Sequence, residues 1–236
     1  MGKWKKWLSA GLYTAMLGTA IIAGPTADVS ANAGNKPYNI ENVSPDAHLA
    51  PSVGDSSSKT SSKAWHKIDG VCYNGSGKKV EGAITRGMDV SEWQGKINWK
   101  EAKKDLDFAF VRISYGTRHL DDYYDYNMTE AEAADVPVGT YVYSLAKTNK
   151  EALAEAQLAI RQMQGHKVSY PVAFDLEDEA TLGTLTRKEI SQIALTFCDE
   201  IRKAGYTPIL YMNLNWYNNF VDWNVLEGSG LDVWIA

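Results

Sequence analysis

The stretch Val172-Ala173-Phe174-Asp175-Leu176-Glu177 decides how the rest of the chain is interpreted. Its large apolar residues alternate with small and acidic ones, and side chains on a strand point to opposite faces in turn. We therefore expect a buried strand that presents Asp175 and Glu177 on one face, with their Cα atoms about 6.5–7 Å apart. Two carboxyls that close interact, so ionising one raises the pKa of the other. Such a pair can hold an acid and a base at the same pH, which glycosidic cleavage requires.

A plainer interpretation is a solvated acidic loop, because Asp178 and Glu179 follow directly. The position of the pair favours a functional site instead, since polar residues recur at the ends of other apolar runs. Those residues are Asp89, Arg112, Tyr143, Tyr211 and Asn213. In a barrel of alternating strands and helices, the chemistry lies at the carboxyl ends of the strands.

From Gly87 onwards, apolar runs of strand length alternate with segments that carry helix signals. The runs are Met88–Val90, Phe108–Ile113, Val138–Tyr143, Val172–Leu176, Pro208–Met212 and Leu231–Ile235. The helix starts are Asn98 with Glu101, Thr148 with Glu151 and Thr186 with Glu189, and the helix ends are Gly165 and Gly205. This order predicts right-handed βαβ units around a parallel sheet.

The residues on the two faces of the predicted strands distinguish a barrel from an open sheet. Val142 opposes Tyr141 and Tyr143, and Leu210 opposes Tyr211, so that one face is apolar and the other polar and aromatic. Val111 and Ile113 likewise oppose Arg112 and Ser114. A doubly wound sheet is covered by helices on both faces and is apolar on both. The pattern therefore predicts an α/β fold of TIM-like barrel type, with about six strands.

The residues before Gly87 divide into three segments. We expect residues 1–33 to be a signal peptide, because Lys3, Lys5 and Lys6 precede an apolar run and Ala31-Asn32-Ala33 fits a cleavage site. Residues 34–64 are rich in Ser, Lys, Gly and Asn, which predicts a flexible linker. Residues 65–86 predict a short hairpin or lead-in that turns at Asn74–Gly77, and residues 87–236 predict the barrel. A membrane anchor at residues 1–33 is the competing interpretation.

Composition excludes several classes of function. The net charge of −5 argues against a nucleic-acid partner. The four histidines have no metal-ligand spacing, no glycine-rich phosphate loop opens a helix, and no Gly-x-Ser-x-Gly elbow is present. We therefore expect neither a metal nor a cofactor. Cys72 and Cys198 are the only cysteines, and we do not predict a disulfide between them because Cys198 falls inside a predicted helix.

Four stretches in order resemble the strand motifs of glycoside hydrolase family 25, the lysozymes of the Chalaropsis and phage-endolysin type. They are Met88–Gly95 (MDVSEWQG), Phe110–Gly116 (FVRISYG), Gly139–Ser144 (GTYVYS) and Pro171–Glu177 (PVAFDLE). The resemblance implies an enzyme that hydrolyses the β-1,4 bond from N-acetylmuramic acid to N-acetylglucosamine in peptidoglycan. Together with the predicted signal peptide, it leads us to expect a secreted protein associated with the cell wall. It implies an irregular barrel of eight strands and catalysis without a metal.

The resemblance also assigns roles. It implies that Glu177 is the general acid, Asp175 the assisting carboxylate and Asp89 a third acid at the floor of the cleft. The residues expected to contact the sugars are Tyr143, Tyr211, Trp93 and Asn213. For Arg112 a structural ion pair is the preferred interpretation.

One feature departs from the family pattern, because two further strands and another acid follow in the family and are not found before Ala236. We therefore expect a truncated barrel, either part of a longer product or an impaired enzyme. Two alternatives stay open: a cell-wall glycan-binding barrel without catalysis, and another barrel glycosidase such as a chitinase. Val172–Glu177 lacks the first two acids of the chitinase motif D-x-x-D-x-D-x-E.

Overall fold

The computed structural model of the protein describes residues 6–8, 66–74 and 77–236. The predicted signal peptide and linker therefore lie outside the described residues, apart from one short strand at Lys6–Leu8. Among the described residues, no helix is both long and apolar enough to cross a membrane.

The described elements alternate as the sequence predicts. The strands are β1 Lys6–Leu8, β2 His66–Ile68, β3 Val71–Tyr73, β4 Gly87–Val90, β5 Phe108–Tyr115, β6 His119–Leu120, β7 Val138–Tyr143, β8 Val172–Asp175, β9 Pro208–Met212 and β10 Asp232–Ile235. The helices are α1 Trp99–Ala102, α2 Tyr124–Ala133, α3 Asn149–Met163, α4 Glu179–Leu182, α5 Arg187–Lys203, α6 Leu214–Asn219 and α7 Trp223–Leu226, with a 3₁₀ turn at Glu92–Gln94.

Six parallel strands form a curled half-barrel in the order β4-β5-β7-β8-β9-β10. The backbone of β1 adds a further parallel strand beside β10, and β6 folds back antiparallel on β5. The prediction of a mixed α/β fold with six parallel strands is confirmed, and each predicted strand has its counterpart.

The two faces of the sheet bury different residues. The outer face packs against the helices in one continuous core, to which α5 contributes Ile190, Ile193, Ala194, Phe197 and Ile201. The inner face holds a separate cluster made of Phe108, Phe110, Ala173, Ile209 and Trp234. The helix starts also agree with the sequence, since Asn98, Thr148 and Thr186 each accept a backbone hydrogen bond from the residue three positions on.

A β-bulge in β5 changes the predicted alternation of side chains. The register with β7 shifts between Arg112 and Ser114, so that Ser114 pairs with Val142 and Tyr115 pairs with Tyr143. The expectation that Ser114 shares the polar face with Arg112 was therefore wrong. Bulges re-aim side chains in this way next to functional sites, and here the residue brought to the polar face is Tyr115.

The segment before the half-barrel contains two antiparallel pairings, and the sequence predicted the second of them. Strands β2 and β3 pair antiparallel around Asp69 and Gly70, whose φ angles are 49° and 79°. An Asp-Gly pair with both φ angles positive is the preferred two-residue hairpin turn, and this signal was missed in the sequence. The predicted turn at Asn74–Gly77 is flanked by antiparallel pairing: a bridge joins Tyr73 to Lys79, and the N–H of Val80 donates to the carbonyl of Cys72 at 2.9 Å. An ion pair from Lys67 Nζ to Asp107 Oδ2, 2.9 Å long, ties the hairpin to the loop before β5.

Candidate active site

One row of side chains crosses the carboxyl ends of the central strands. Tyr115 of β5 is in register with Tyr143 of β7, which is in register with Asp175 of β8. Asp175 is in turn in register with Tyr211 of β9, and Tyr211 with Trp234 of β10. The inner face at this level is therefore aromatic on both sides of one carboxyl.

Asp175 lies at the centre of this row and is only 5% exposed. Its Oδ1 atom is buried and accepts no hydrogen bond from the part of the chain that the structure describes. Burial raises the pKa of Asp175 well above its ordinary value, and the charges of Glu177 and Asp89 raise it further. Burial, together with the charge of Glu177, also raises the pKa of Asp89 to about 6. The fold thus brings together the three carboxyls that the sequence analysis identified. Ionising all three at neutral pH is energetically unfavourable.

Glu177 lies just beyond the end of β8 and is more exposed than Asp175. Its Oε2 atom accepts a hydrogen bond from Nδ2 of Asn213 at 3.1 Å. The backbone holds this end of the site together, because the N–H of Leu176 donates to the carbonyl of Tyr211 at 3.0 Å. The predicted acid therefore lies just past the strand end, held by Asn213 and less buried than Asp175.

Two tyrosines and Asp178 form a rim beside the carboxyls. The rings of Tyr115 and Tyr143 stack with their centroids 4.8 Å apart, and each hydroxyl donates to Oδ2 of Asp178 at 3.3 Å. The other oxygen of Asp178 accepts the N–H of Thr181 and caps helix α4. Asp178 is therefore an ordered part of the rim and not a solvated loop acid. The sequence reasoning missed Tyr115, because only the bulge brings it here.

Arg112 is buried beside the carboxyl cluster and is held by ion pairs. Its Nε atom lies 2.9 Å from Oδ2 of Asp121, and its Nη2 atom lies 2.8 Å from Oε1 of Glu92. Glu92 also contacts Nε2 of His119, at 2.8 Å. This geometry agrees with the preferred interpretation of Arg112 as an ion-pair partner. Its charge lowers the pKa of Asp175, but less than burial and the neighbouring acids raise it.

The residues predicted to contact the sugars lie in different parts of the half-barrel. Tyr143 and Tyr211 belong to the in-register row. Trp93 lies on the 3₁₀ turn next to Glu92 and is 70% exposed, which leaves a large aromatic face in solvent. Asn213 lies against Glu177. Within the described ranges, no group of three or more His, Cys, Asp or Glu side chains is arranged to hold a metal ion.

Glu155 of α3 supports the rim from behind and was also missed. It is 2% exposed, and its carboxylate accepts hydrogen bonds from the Ser144 hydroxyl at 2.8 Å and the Leu145 N–H at 3.0 Å. Burial raises the pKa of Glu155 to about 7. Its place on the apolar face of α3, three residues after Ala152, was the available signal.

We expect the protein to become more stable as the pH falls from about 7.5 to about 5. The pKa values of Asp89, about 6, and Glu155, about 7, exceed the values near 4 of unfolded chains. The folded state therefore binds more protons than the unfolded state in this window, so stability falls as pH rises. Calorimetry across this range measures the effect. Asp89→Asn should flatten the pH dependence and raise the Tm at pH 7.5 by a few degrees, whereas a wild-type Tm that rises with pH would contradict the electrostatics described here.

Comparison with known proteins places this geometry in a family. The model of the family described as "Glycosyl hydrolases family 25" matches residues 88–236. The protein YegX of Escherichia coli K12 is 26% identical over 139 residues, which cover 56% of this chain and 49% of YegX. Lysozyme M1 of Streptomyces globisporus is 38% identical over 60 residues, which cover 25% of this chain and 20% of that protein. The chain thus spans about half the length, or less, of these relatives.

A solved structure extends the comparison to the fold. The modular autolysin LytC of Streptococcus pneumoniae, solved in complex with a synthetic peptidoglycan ligand, aligns with a TM-score of 0.57 at 23% identity. The alignment covers 66% of this chain and 39% of LytC. The family match spans the whole half-barrel, including every strand that carries a candidate site residue. This chain therefore belongs to glycosyl hydrolase family 25.

Proposed function

We propose that this protein is a secreted lysozyme that hydrolyses the β-1,4 bond between N-acetylmuramic acid and N-acetylglucosamine in peptidoglycan. The observation that carries the proposal is the cluster of Asp89, Asp175 and Glu177 at the carboxyl end of the half-barrel. Membership of family 25 supports glycoside hydrolysis, and the names of Lysozyme M1 and the autolysin LytC support a bacterial wall as the substrate. Action outside the cell follows from that substrate and from the predicted signal peptide.

In this proposal Glu177 is the general acid. Its side chain is partly exposed, whereas Asp175 is buried, so the oxygen of a glycosidic bond can approach it. Its proton passes to that oxygen while the bond from the sugar C1 atom breaks. Asp89 and Asp175 lie beside it, and a negative charge on either one disfavours ionisation of Glu177. The cluster therefore retains a proton at neutral pH.

Asp175 is the assisting carboxylate in this proposal. The resemblance assigns it to the acetamido group of the substrate, whose carbonyl oxygen would attack C1 as the leaving sugar departs. The buried Oδ1 of Asp175, which has no partner among the described residues, is a suitable acceptor for the acetamido N–H. Asp89 adds negative charge on the same side of the positively charged transition state.

The aromatic side chains supply the binding surface. Tyr143 and Tyr211 flank Asp175 in register, and Trp93 offers an exposed ring for stacking against a sugar. Tyr115 extends the tyrosine surface towards the rim. A negatively charged protein gains little attraction from an anionic wall, so recognition would depend on shape and stacking.

Digestion of purified peptidoglycan tests the proposal against a binding module. The full chain should release new reducing ends from the glycan, at a rate proportional to protein concentration. Binding to the wall without any reducing ends would support the non-catalytic alternative. Release of reducing ends from chitin but not from peptidoglycan would support the chitinase alternative.

A further inference from the structure

Asn213 connects the proposed acid to a helix end. It follows β9 directly and forms the N-cap of α6, where its Oδ1 atom accepts the N–H of Trp216 at 3.0 Å. The backbone carbonyl of Asn213 also accepts the N–H of Tyr217 at 3.0 Å. Trp216 is 1% exposed and stacks on Phe220 with centroids 4.3 Å apart, so the helix end is anchored in the core.

This cap fixes which way the side-chain amide faces. The oxygen is committed to the helix N–H, so the NH₂ group must point away from the helix, and it lies 3.1 Å from Oε2 of Glu177. An NH₂ group can only donate, and a donor favours a carboxylate over a neutral carboxyl group. The bond to Oε2 also restricts rotation of the carboxyl, whose last torsion is otherwise broad.

We propose that Asn213 is a positioning residue that orients Glu177 and stabilises the carboxylate formed when Glu177 gives up its proton. The inference rests on the proposed function, in which Glu177 is the general acid. It replaces the expectation that Asn213 serves as a sugar contact. The proton leaves Glu177 for the glycosidic oxygen, and the negative charge left behind is shared with the amide of Asn213.

Two variants remove the hydrogen bond from Asn213 to Glu177 while they keep the cap of α6. Asn213→Ser and Asn213→Asp both keep an oxygen that can cap α6, since Ser and Asp are favoured N-cap residues. Ser is too short to bring a donor to Glu177, and Asp brings a repelling charge. Asn218→Asp is the matched control, because it adds the same charge at an exposed position of α6.

We expect both Asn213 variants to melt close to the wild-type temperature and to lose kcat by about tenfold or more, with little change in KM. The basic limb of the kcat/KM profile should move to higher pH in Asn213→Ser and further in Asn213→Asp, because the acid form persists when its carboxylate is less stabilised. Asn218→Asp should leave rate and profile unchanged. An unshifted profile, or a rise in KM alone, would overturn the positioning role, and the rise in KM would mark a sugar contact.

A readout without turnover separates this inference from the proposed function. The side-chain NH₂ resonances of Asn213 should titrate with pH in the free wild-type protein and lose that response in Glu177→Gln. A protein that shows this titration but releases no reducing ends would contradict the proposed function and its acid assignment. A protein that releases reducing ends while these resonances ignore pH would contradict the role of Asn213 alone.

Discussion

Glu177→Gln is expected to reduce peptidoglycan hydrolysis by about 10²–10⁴-fold, the range typical of general acid catalysis. The amide keeps the size of the side chain but has no acidic proton for the leaving oxygen. Because Gln can still be reached by the amide of Asn213, and because the position is partly exposed, the fold should not suffer. The rate of reducing-end release gives the loss, and co-sedimentation with purified walls should show that binding is retained.

Glu179→Gln is the matched control for this variant. It makes the same chemical change two residues along the chain, at an exposed position at the start of α4. If the acids after β8 were only a solvated run, the two variants would behave alike. Near-normal hydrolysis by Glu177→Gln would remove Glu177 as the acid and return the binding and chitinase alternatives.

Asp175→Asn is expected to lower hydrolysis by about 10²–10³-fold, comparable to the loss of one pre-organised group at a transition state. The positive charge that develops at C1 and in the acetamido group loses its nearest buried carboxylate. The same change should raise the Tm at pH 7.5, because it removes a buried carboxyl whose pKa is raised by burial and by Glu177. Loss of activity with a gain of stability is the signature of a group retained for chemistry.

Kinetics and calorimetry on the same preparation decide this prediction. A role of Asp175 in folding alone would lower both the Tm and the rate. Proton NMR of the products adds a mechanistic check, since participation of the acetamido group predicts that the β-anomer forms first. An α-anomer formed first would contradict assistance by the acetamido group, and with it the role proposed for Asp175.

Much of the scaffold could be predicted because it depends on local patterns. The alternation in Val172–Glu177 and in Val138–Tyr143 predicted which residues share the inner face of the sheet. The N-cap at Thr186 predicted the start of α5. These signals are strong because side-chain alternation and capping depend on near neighbours in the chain. Asp89 and Asp175 could be placed at one end of the sheet because both follow apolar runs, and the carboxyl ends of parallel strands lie at the same end of a barrel.

What could not be predicted depends on distant contacts. The bulge that brings Tyr115 beside Tyr143 arises from the pairing of β5 with β7, and no sequence pattern within Phe110–Gly116 predicts it. Asp178 looked like a solvated acid because its tyrosine partners lie 35 and 63 residues away in sequence. Glu155 is explained only by the turn after β7 that it supports. Alternation and capping report none of these contacts.

Identification of the new reducing-end sugar tests the central claim most directly. Walls digested by the full chain would be reduced with borohydride, hydrolysed, and analysed for the sugar alcohol that marks each cleaved bond. Hydrolysis of the bond from N-acetylmuramic acid to N-acetylglucosamine predicts muramitol, in wild type and in Glu179→Gln but not in Glu177→Gln. Glucosaminitol as the new end, or no new sugar alcohol at all, would contradict the account.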